Sequence, residues 1–282
     1  MRMHRPAVIQ WPAEAIWEQV APLLPGFTIE ILPEIGSTNT ELMRRAKDGK
    51  LEPTLLVAEH QTAGRGRLGR DWIALTDRVD NALPMLTFSL GLPFSPASWS
   101  GLSLAVGVSL ASSLDPSIQL KWPNDLWLKE RKLGGILIET TAINNQRYVV
   151  IGIGINILQA KQLSTSVLRT APAWLQEINA QAQAASTLAQ VITPLVHTIQ
   201  LFETQGFAPF QKSFNALDAL HNRTVLIQNN KESMADSVQL QGIDQGISQG
   251  LAQGVDISGA LIVLTVNGRQ LVSSSEVSIK AV

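Results

Sequence analysis

The chain has 282 residues, of which 45% are hydrophobic and 16% are charged. This composition fills a sizeable core and excludes an intrinsically disordered chain, and the length predicts one large and one small domain. The formal net charge of −1 gives no overall field that would attract nucleic acid or an anionic membrane. The absence of cysteine excludes disulfides and thiolate chemistry. No secretory signal pattern is seen, so we expect a cytoplasmic protein, and we assign no metal ligand.

The first half of the chain alternates between helical and extended patterns. The predicted helices cover residues 13–24, 38–48 and 98–114. The predicted strands cover residues 27–32, 55–58, 85–90, 118–128, 133–141 and 148–157. Because the last three strands follow one another through short turns, they predict an antiparallel meander, and the sheet as a whole is expected to be mixed.

The second half changes from helix to short strands. Residues 170–220 are predicted to be helical, with Pro194 kinking or dividing the longest piece. The strands that follow are expected at residues 224–228, 237–240, 260–266 and 270–273. A Gln-Gly pair repeats every four residues within 241–254, which predicts a turn or a floppy insertion. We therefore predict an α+β domain over residues 1–220 and a small β domain over 221–282.

The densest chemical signal lies at residues 64–72, which read GRGRLGRDW. The segment contains G-x-G-x-x-G, but arginines stand where a Rossmann dinucleotide loop has small or apolar residues, so we reject that interpretation. The glycines let the backbone approach a ligand, and Arg65, Arg67 and Arg70 offer paired hydrogen bonds to phosphate or carboxylate oxygens. The pattern favours a site for a nucleotide together with an acid; a solvated basic turn or a nucleic-acid patch is the alternative.

Two strand segments contain residues that are costly in a strand unless something compensates. Lys121 stands in an apolar strand, where an ammonium group needs an anionic partner. That partner is either an anionic ligand or, as for an ordinary edge-strand lysine, Asp125. Gly152 and Gly154 lie on one face of a strand whose other face is isoleucine, and they leave that face bare. Either a flat ligand or a closely packed helix would cover it.

The start of the helix at Thr38 offers polar groups to a ligand. Ser37, Thr38 and Asn39 supply two hydroxyl groups and an amide at this point. The sequence from Thr38 to Glu41 also has the form of a capping box. Capping of the helix by Thr38 is therefore the alternative to ligand binding.

Taken in chain order, these segments resemble the biotin protein ligase family. The segments are STN at 37–39, QTAGRGRLGRDW at 61–72, KWPND at 121–125, KLGGIL at 132–137 and GIGIN at 152–156. The resemblance is strong over residues 30–160, and the end of the chain is weakly similar to the small SH3-like barrel of that family. It implies a largely antiparallel mixed sheet with helices, of the biotin/lipoate ligase type, followed by an SH3-like β barrel.

The resemblance also implies a reaction in two steps. Biotin and Mg²⁺-ATP would give biotinyl-5′-AMP and pyrophosphate, and biotin would then pass to a lysine of a biotin carboxyl carrier domain of acetyl-CoA carboxylase. It implies the monofunctional class without a DNA-binding arm, with no nucleic acid or membrane partner, and it allows a homodimer. Two rival interpretations are a lipoate or octanoate ligase on the same scaffold and a non-catalytic biotin-binding sensor.

Site residues follow from the resemblance position by position. The implied catalytic residues are Arg65, Arg67 and Lys121. The implied biotin-binding residues are Ser37, Thr38, Asn39, Gln61, Arg65, Gly66, Arg67, Lys121, Gly152 and Gly154. The implied ATP-binding residues are Arg67, Arg70, Trp72, Lys121, Asn124 and Asn156. In this assignment Lys121 holds the biotin carboxylate and the α-phosphate together, and the two glycines form the floor under the ligand.

Overall fold

The computed structural model describes residues 9–72, 82–159, 170–229, 247–273 and 277–281. The helices are α1 (Ala13–Val20), α2 (Thr38–Lys47), α3 (Leu102–Leu114), α4 (Ala184–Gln205) and α5 (Gln211–Leu217). The first seven strands are β1 (Thr28–Leu32), β2 (Thr54–Ala58), β3 (Met85–Pro93), β4 (Gln119–Lys121), β5 (Asp125–Leu128), β6 (Arg131–Ile143) and β7 (Gln146–Asn156). The remaining strands are β8 (Thr224–Asn229), β9 (Ile247–Val255), β10 (Leu261–Thr265), β11 (Gly268–Val272) and β12 (Val277–Ala281). Within these ranges no helix combines the length and apolarity needed to cross a bilayer.

Strands β1 to β7 form one mixed sheet in the order β1-β2-β3-β7-β6-β5-β4. Only β1 and β2 pair in parallel, and the other neighbours are antiparallel, as the sequence predicted. The long strands β3, β7 and β6 lie at the centre. This arrangement puts β1 and β4 at the two edges of the sheet.

The two faces of β7 explain why a space is left beside one face of the sheet. Its odd-numbered residues from Val149 to Ile155 lie in the main core, which also contains side chains of α1, α3 and α4. On the other face, Tyr148 and Val150 pack with α2 in a smaller core. Because side chains alternate along a strand, Gly152 and Gly154 continue this second face without side chains. A space is therefore left beyond the end of the small core.

Strands β8 to β12 form a separate antiparallel sheet in the order β11-β10-β9-β8-β12, which confirms the predicted small β unit. The turn between β9 and β10 contacts the first sheet. There the indole nitrogen Nε1 of Trp122 donates to the carbonyl of Gly259 at 3.1 Å, and Ser100 Oγ donates to the carbonyl of Ser258 at 2.7 Å.

Two element predictions were wrong in detail, and the structure decides between two alternatives for a third. The extended run 118–128 is two strands, because a turn at residues 122–124 reverses the chain and pairs β4 with β5 antiparallel. Of the two alternatives for Pro194, a kink or a division of the helix, division is excluded, because α4 runs through Pro194. This residue lies on the solvent side, where water can satisfy the carbonyl that loses its partner. Helix α3 begins at Leu102, after Gly101 with a φ of 82°, and not near 98.

The Gln-Gly repeat is also partly a strand and not a turn. Its last two pairs lie in β9, and β10 approaches so closely that a Cβ on Gly250 would lie 2.5 Å from Val263 Cγ1. Glycine is therefore required there by packing. The earlier pairs and the predicted strand at 237–240 fall outside the described residues.

Asp218 is a buried carboxyl group just beyond α5. A bridge joins its backbone to Leu120 of β4, and its Oδ1 accepts from the backbone N–H of Leu220 at 2.9 Å. Its Oδ2 is buried with no hydrogen-bond partner among the described residues. Burial raises the pKa of Asp218 from 3.8 to about 6.

Asp218→Asn is expected to stabilise the protein at pH 8. The Asp218 carboxyl group keeps its proton to a higher pH in the folded chain than in the unfolded chain. The free energy of unfolding therefore falls as the pH rises from about 4 to about 6, and it stays lower at every pH above 6. The variant keeps an acceptor for Leu220 and should raise the free energy of unfolding by up to about 3 kcal/mol at pH 8, and by much less at pH 4. Urea unfolding at both pH values measures the effect.

The control for this experiment is Asp115→Asn. Hydrogen bonds from the side chain and backbone N–H of Ser117 lower the pKa of Asp115, so loss of that charge should not stabilise the protein at pH 8. An equal gain in both variants would show that a general charge effect, and not burial of Asp218, is responsible.

Candidate active site

A cavity of about 160 Å³ opens on the α2 face of the sheet, above the glycines of β7. Residues from α2, the arginine-rich segment and four strands line it. They are Ser37, Thr38, Asn39, Gln61, Arg65, Gly66, Arg67, Arg70, Asp71, Trp72, Thr87, Phe88, Asn124, Asp125, Lys132, Gly135, Ile136, Leu137, Gly152, Ile153 and Gly154. Twelve of the fourteen residues assigned from the sequence are brought together here; Lys121 and Asn156 are not.

One end of the cavity is polar and uncharged. The helix α2 begins there, and its N-cap is Ser37, whose hydroxyl accepts from the backbone N–H of Thr40 at 3.4 Å. Capping is thus performed by Ser37 and not by Thr38. Gln61 is fixed by a bridge to Ile35, and its Oε1 accepts from the backbone N–H of Thr38 at 2.7 Å. The buried side chains of Thr38 and Gln61 are therefore held in place before a ligand arrives.

The other end of the cavity is rich in cations. The segment 64–72 folds back on itself, since the backbone N–H of Gly66 donates to Arg70 at 2.7 Å and that of Trp72 donates to Gly64 at 2.9 Å. All three arginines of this turn line the cavity, and Arg65 Nη1 lies 3.5 Å from Glu139 Oε1. Burial lowers the pKa of Arg67, and the charge of Arg70 lowers it further, while Asp125 acts in the opposite direction. Cations crowded and partly desolvated in this way favour an anion among them.

Lys132 is a site residue that the sequence reasoning did not assign, although it opens the quoted segment KLGGIL. Its Nζ lies 2.7 Å from Asp125 Oδ1 and 5.5 Å from the centre of the Trp72 ring, and it lines the cavity. In a regular strand, Lys132 would face away from Gly135. The pairing of β5 and β6 shifts by one residue at Leu133, and this irregularity turns Lys132 to the cavity face.

Lys121, which the resemblance assigned to the ligand, does not line the cavity in this structure, so its role toward the ligand stays a prediction. Lys121 lies in the edge strand β4, in register with Asp125, and its Nζ stands 4.4 Å from the centre of the Trp127 ring. Burial lowers its pKa, with Lys132 adding to the effect and Asp125 opposing it. The partner of this ammonium is thus an aromatic face one strand away from the cavity wall. Among the described residues, Lys132 is the lysine that lines the cavity.

The glycine floor is covered and not bare. A Cβ on Gly154 would lie 2.5 Å from Cζ2 of Trp72, and one on Gly152 would collide with the side-chain oxygen of Asn39. Asn39, which covers Gly152, belongs to helix α2, so a closely packed helix covers this glycine, which was one of the two predicted alternatives. Trp72, which covers Gly154, belongs to the arginine-rich segment. The indole N–H of Trp72 is buried with no hydrogen-bond partner among the described residues, so it remains available to a ligand.

The two asparagines assigned to ATP have different places. Asn124 lines the cavity, and its Nδ2 donates to the carbonyl of Ile136 at 2.8 Å. Asn156 is buried behind the cavity wall, where its Nδ2 donates to the carbonyls of Lys132 and Ala173, both at 3.1 Å. Asn156 thus holds the backbone that carries Lys132, and its assignment to ATP stays a prediction.

Comparison with known families assigns a class to this fold and site. Residues 32–156 match the biotin/lipoate A/B protein ligase family, and residues 237–280 match the biotin protein ligase C terminal domain. The first match covers the cavity, and the second covers most of the small β sheet. The fold and the site therefore define a member of the biotin and lipoate ligase class.

Individual relatives show which family within this class the chain resembles. The bifunctional ligase/repressor BirA of Escherichia coli K12 is 36% identical over 234 residues, which are 81% of this chain and 70% of that protein. The biotin--[acetyl-CoA-carboxylase] ligase of Paracoccus denitrificans is 27% identical over 88% of this chain and 98% of that protein. A structure of the biotin protein ligase of Aquifex aeolicus in complex with biotin and ATP has a TM-score of 0.70 at 25% identity, covering 90% of this chain and 99% of that one. The chain belongs to the biotin protein ligase family, as the sequence motifs indicated.

Proposed function

We propose that this protein is a biotin protein ligase, which joins biotin to ATP as biotinyl-5′-AMP and then transfers biotin to a lysine of a carboxylase carrier domain. The observation that supports this most directly is the lining of the cavity, which combines neutral hydrogen-bonding groups around the start of α2 with three arginines and a lysine. A ligand with a polar, uncharged ring at one end and a carboxylate at the other fits such a site.

The ureido ring of biotin is proposed to bind at the polar end. A ureido group has two N–H donors and one carbonyl acceptor, and each loses affinity if it is buried without a partner. Ser37, Thr38, Asn39 and Gln61 offer hydroxyl and amide groups of both kinds. An octanoyl or lipoyl chain has no use for these groups, so the polar end favours biotin over the acids of the rival ligases.

The biotin carboxylate is proposed to meet the α-phosphate of ATP between Arg65, Arg67 and Lys132. As the carboxylate oxygen attacks phosphorus, negative charge builds on the phosphate oxygens and then leaves with pyrophosphate. Fixed cations in a partly desolvated cavity stabilise that charge more than water does. Trp72, Arg70 and Asn124 are proposed to contact the nucleotide. Because the Trp72 ring occupies the glycine floor, we expect it to shift when the adenylate binds.

In the second step, the amine of a carrier lysine is proposed to attack the carbonyl carbon of the adenylate, with AMP as the leaving group. The acceptor is proposed to be the biotin carboxyl carrier domain of acetyl-CoA carboxylase. Mg²⁺ is expected to enter with the triphosphate, since it commonly uses one or two protein carboxylates plus substrate phosphates, and Asp71 and Asp125 lie on the cavity wall. A cytoplasmic location, a homodimer, and no binding to nucleic acid or membrane remain predictions.

The test is ATP/pyrophosphate exchange by the purified protein with Mg²⁺, in which biotin, octanoate, lipoate and no acid are compared. This assay reports the first step without any carrier. Exchange that depends on biotin alone is the expected result. Exchange supported by octanoate or lipoate would move the protein to the neighbouring ligases, and tight biotin binding without exchange would make it a sensor.

A further inference from the structure

A chain of hydrogen bonds runs behind the polar end of the cavity, from Thr38 through Ser89 and Asn39 to Glu139. Ser89 Oγ lies 2.6 Å from both Thr38 Oγ1 and Asn39 Oδ1. Asn39 Nδ2 lies 2.9 Å from Glu139 Oε2 and 3.3 Å from the carbonyl oxygen of Leu137. Ser89 is fully buried, with 0% exposure, and neither it nor Glu139 lines the cavity. Both residues can therefore act on a ligand only through their neighbours.

The register of three strands creates the place where this chain is held. Ser89 of β3 and Leu137 of β6 are the direct cross-strand neighbours of Gly152 in β7. The missing side chain of Gly152 leaves the space that the Asn39 amide occupies. Ser89 then meets this amide from one side, while Leu137 and Glu139 meet it from the other.

The direction of proton donation along the chain follows from the Glu139 end. A carboxylate and a backbone carbonyl both accept, so the Asn39 atom between them must be the NH₂ group, and Oδ1 faces Ser89. Ser89 must then donate its one proton to Asn39 Oδ1. With that proton used, Ser89 accepts from the Thr38 hydroxyl at 2.6 Å, and Gln61 Oε1, at 3.1 Å from Thr38 Oγ1, is a second and more distant acceptor for the same proton. Thr38 is left with lone pairs, and no proton, to offer to the cavity.

We propose that Ser89 and Glu139 are positioning residues that determine specificity, because they make Thr38 an obligate hydrogen-bond acceptor toward an N–H of the bound ring. The proposal rests on the proposed function, which puts the ureido ring of biotin at this end of the cavity. A ring with an oxygen in place of the N–H that faces Thr38 would bring lone pairs against lone pairs. Such a ligand is rejected even though its shape is the same.

The test compares biotin with its two cyclic carbamate analogues, in which one ureido N–H or the other is replaced by oxygen. The measured quantity is the ratio of kcat/KM for biotin to kcat/KM for each analogue in ATP/pyrophosphate exchange. A ratio for two substrates does not depend on how much of the protein is folded. In Ser89→Ala the Thr38 proton loses its 2.6 Å acceptor and keeps only Gln61 Oε1 at 3.1 Å, so it can turn toward the ligand at a smaller cost, and the preference for biotin over one analogue should fall by about threefold or more.

The chain offers a matched control in Ser109, a buried serine of α3 whose hydroxyl has no hydrogen-bond partner among the described residues. Ser109→Ala should leave both ratios at their wild-type values. A second pair of variants tests the other end of the chain. Glu139→Leu removes one acceptor for Asn39 and should lower the preference, whereas Glu139→Gln supplies an acceptor oxygen and should restore it.

Wild-type ratios for both analogues in Ser89→Ala would overturn the proposal, as would an equal loss in Ser109→Ala. Failure of the proposed function has a different signature, because the wild-type protein would then show no biotin-dependent exchange at all.

Discussion

Lys132→Gln is expected to slow biotin-dependent ATP/pyrophosphate exchange by about a hundredfold to a thousandfold, the usual cost of removing one group that stabilises transition-state charge. Lys132 lines the cavity between Asp125 and Trp72, at the end where the arginines converge. Glutamine is one bond shorter than lysine, keeps a hydrogen-bonding end and carries no charge. The side chain is 31% exposed, so its replacement should leave thermal unfolding nearly unchanged.

The control is Lys121→Gln, which makes the same charge change one strand farther from the cavity. Its ammonium contacts the Trp127 ring and not the cavity wall, so exchange should fall by less than about tenfold. Initial rates of exchange at saturating ATP and biotin compare the two variants. A large loss in Lys121→Gln with normal exchange in Lys132→Gln would reverse the assignment and restore the one made from the sequence.

Gly152→Ala is expected to weaken biotin binding by about a hundredfold or more, because its new methyl group would displace Asn39. Asn39 could not then accept from Ser89, and the buried polar groups of this cluster would lose partners together. Isothermal titration with biotin alone measures the effect, and it does not depend on ATP or on a carrier.

Gly36→Ala provides the comparison for this variant. Gly36 stands directly before Ser37 at the same end of the cavity, but a Cβ there would have no atom within 4 Å. Biotin affinity should therefore stay within about threefold of wild type. Equal affinity in Gly152→Ala and wild type would show that the site does not require the Asn39 amide where the structure has it.

Local sequence patterns determined most of the elements and both ends of the site. The alternation of isoleucine with glycine in 151–156 predicted a strand with one packed face and one face without side chains, and β7 has both, although Asn39 and Trp72 cover the second face. Arginines between glycines at 64–70 predicted an anion-binding turn; all three arginines line the cavity, and anion binding stays a prediction. The strand and the turn could be predicted because the periodicity of a strand and the conformational freedom of glycine are local properties.

The tertiary structure decided which lysine faces the cavity and what covers the glycines. Lys121 and Lys132 are both lysines in apolar strand segments, and the sequence contains no local signal that distinguishes them. The one-residue shift at Leu133 and the edge position of β4 separate them, and both depend on pairing with other strands. The contacts of Gly152 with Asn39 join positions more than a hundred residues apart. Pairing and packing over such distances follow from the fold of the whole chain, which no local pattern contains.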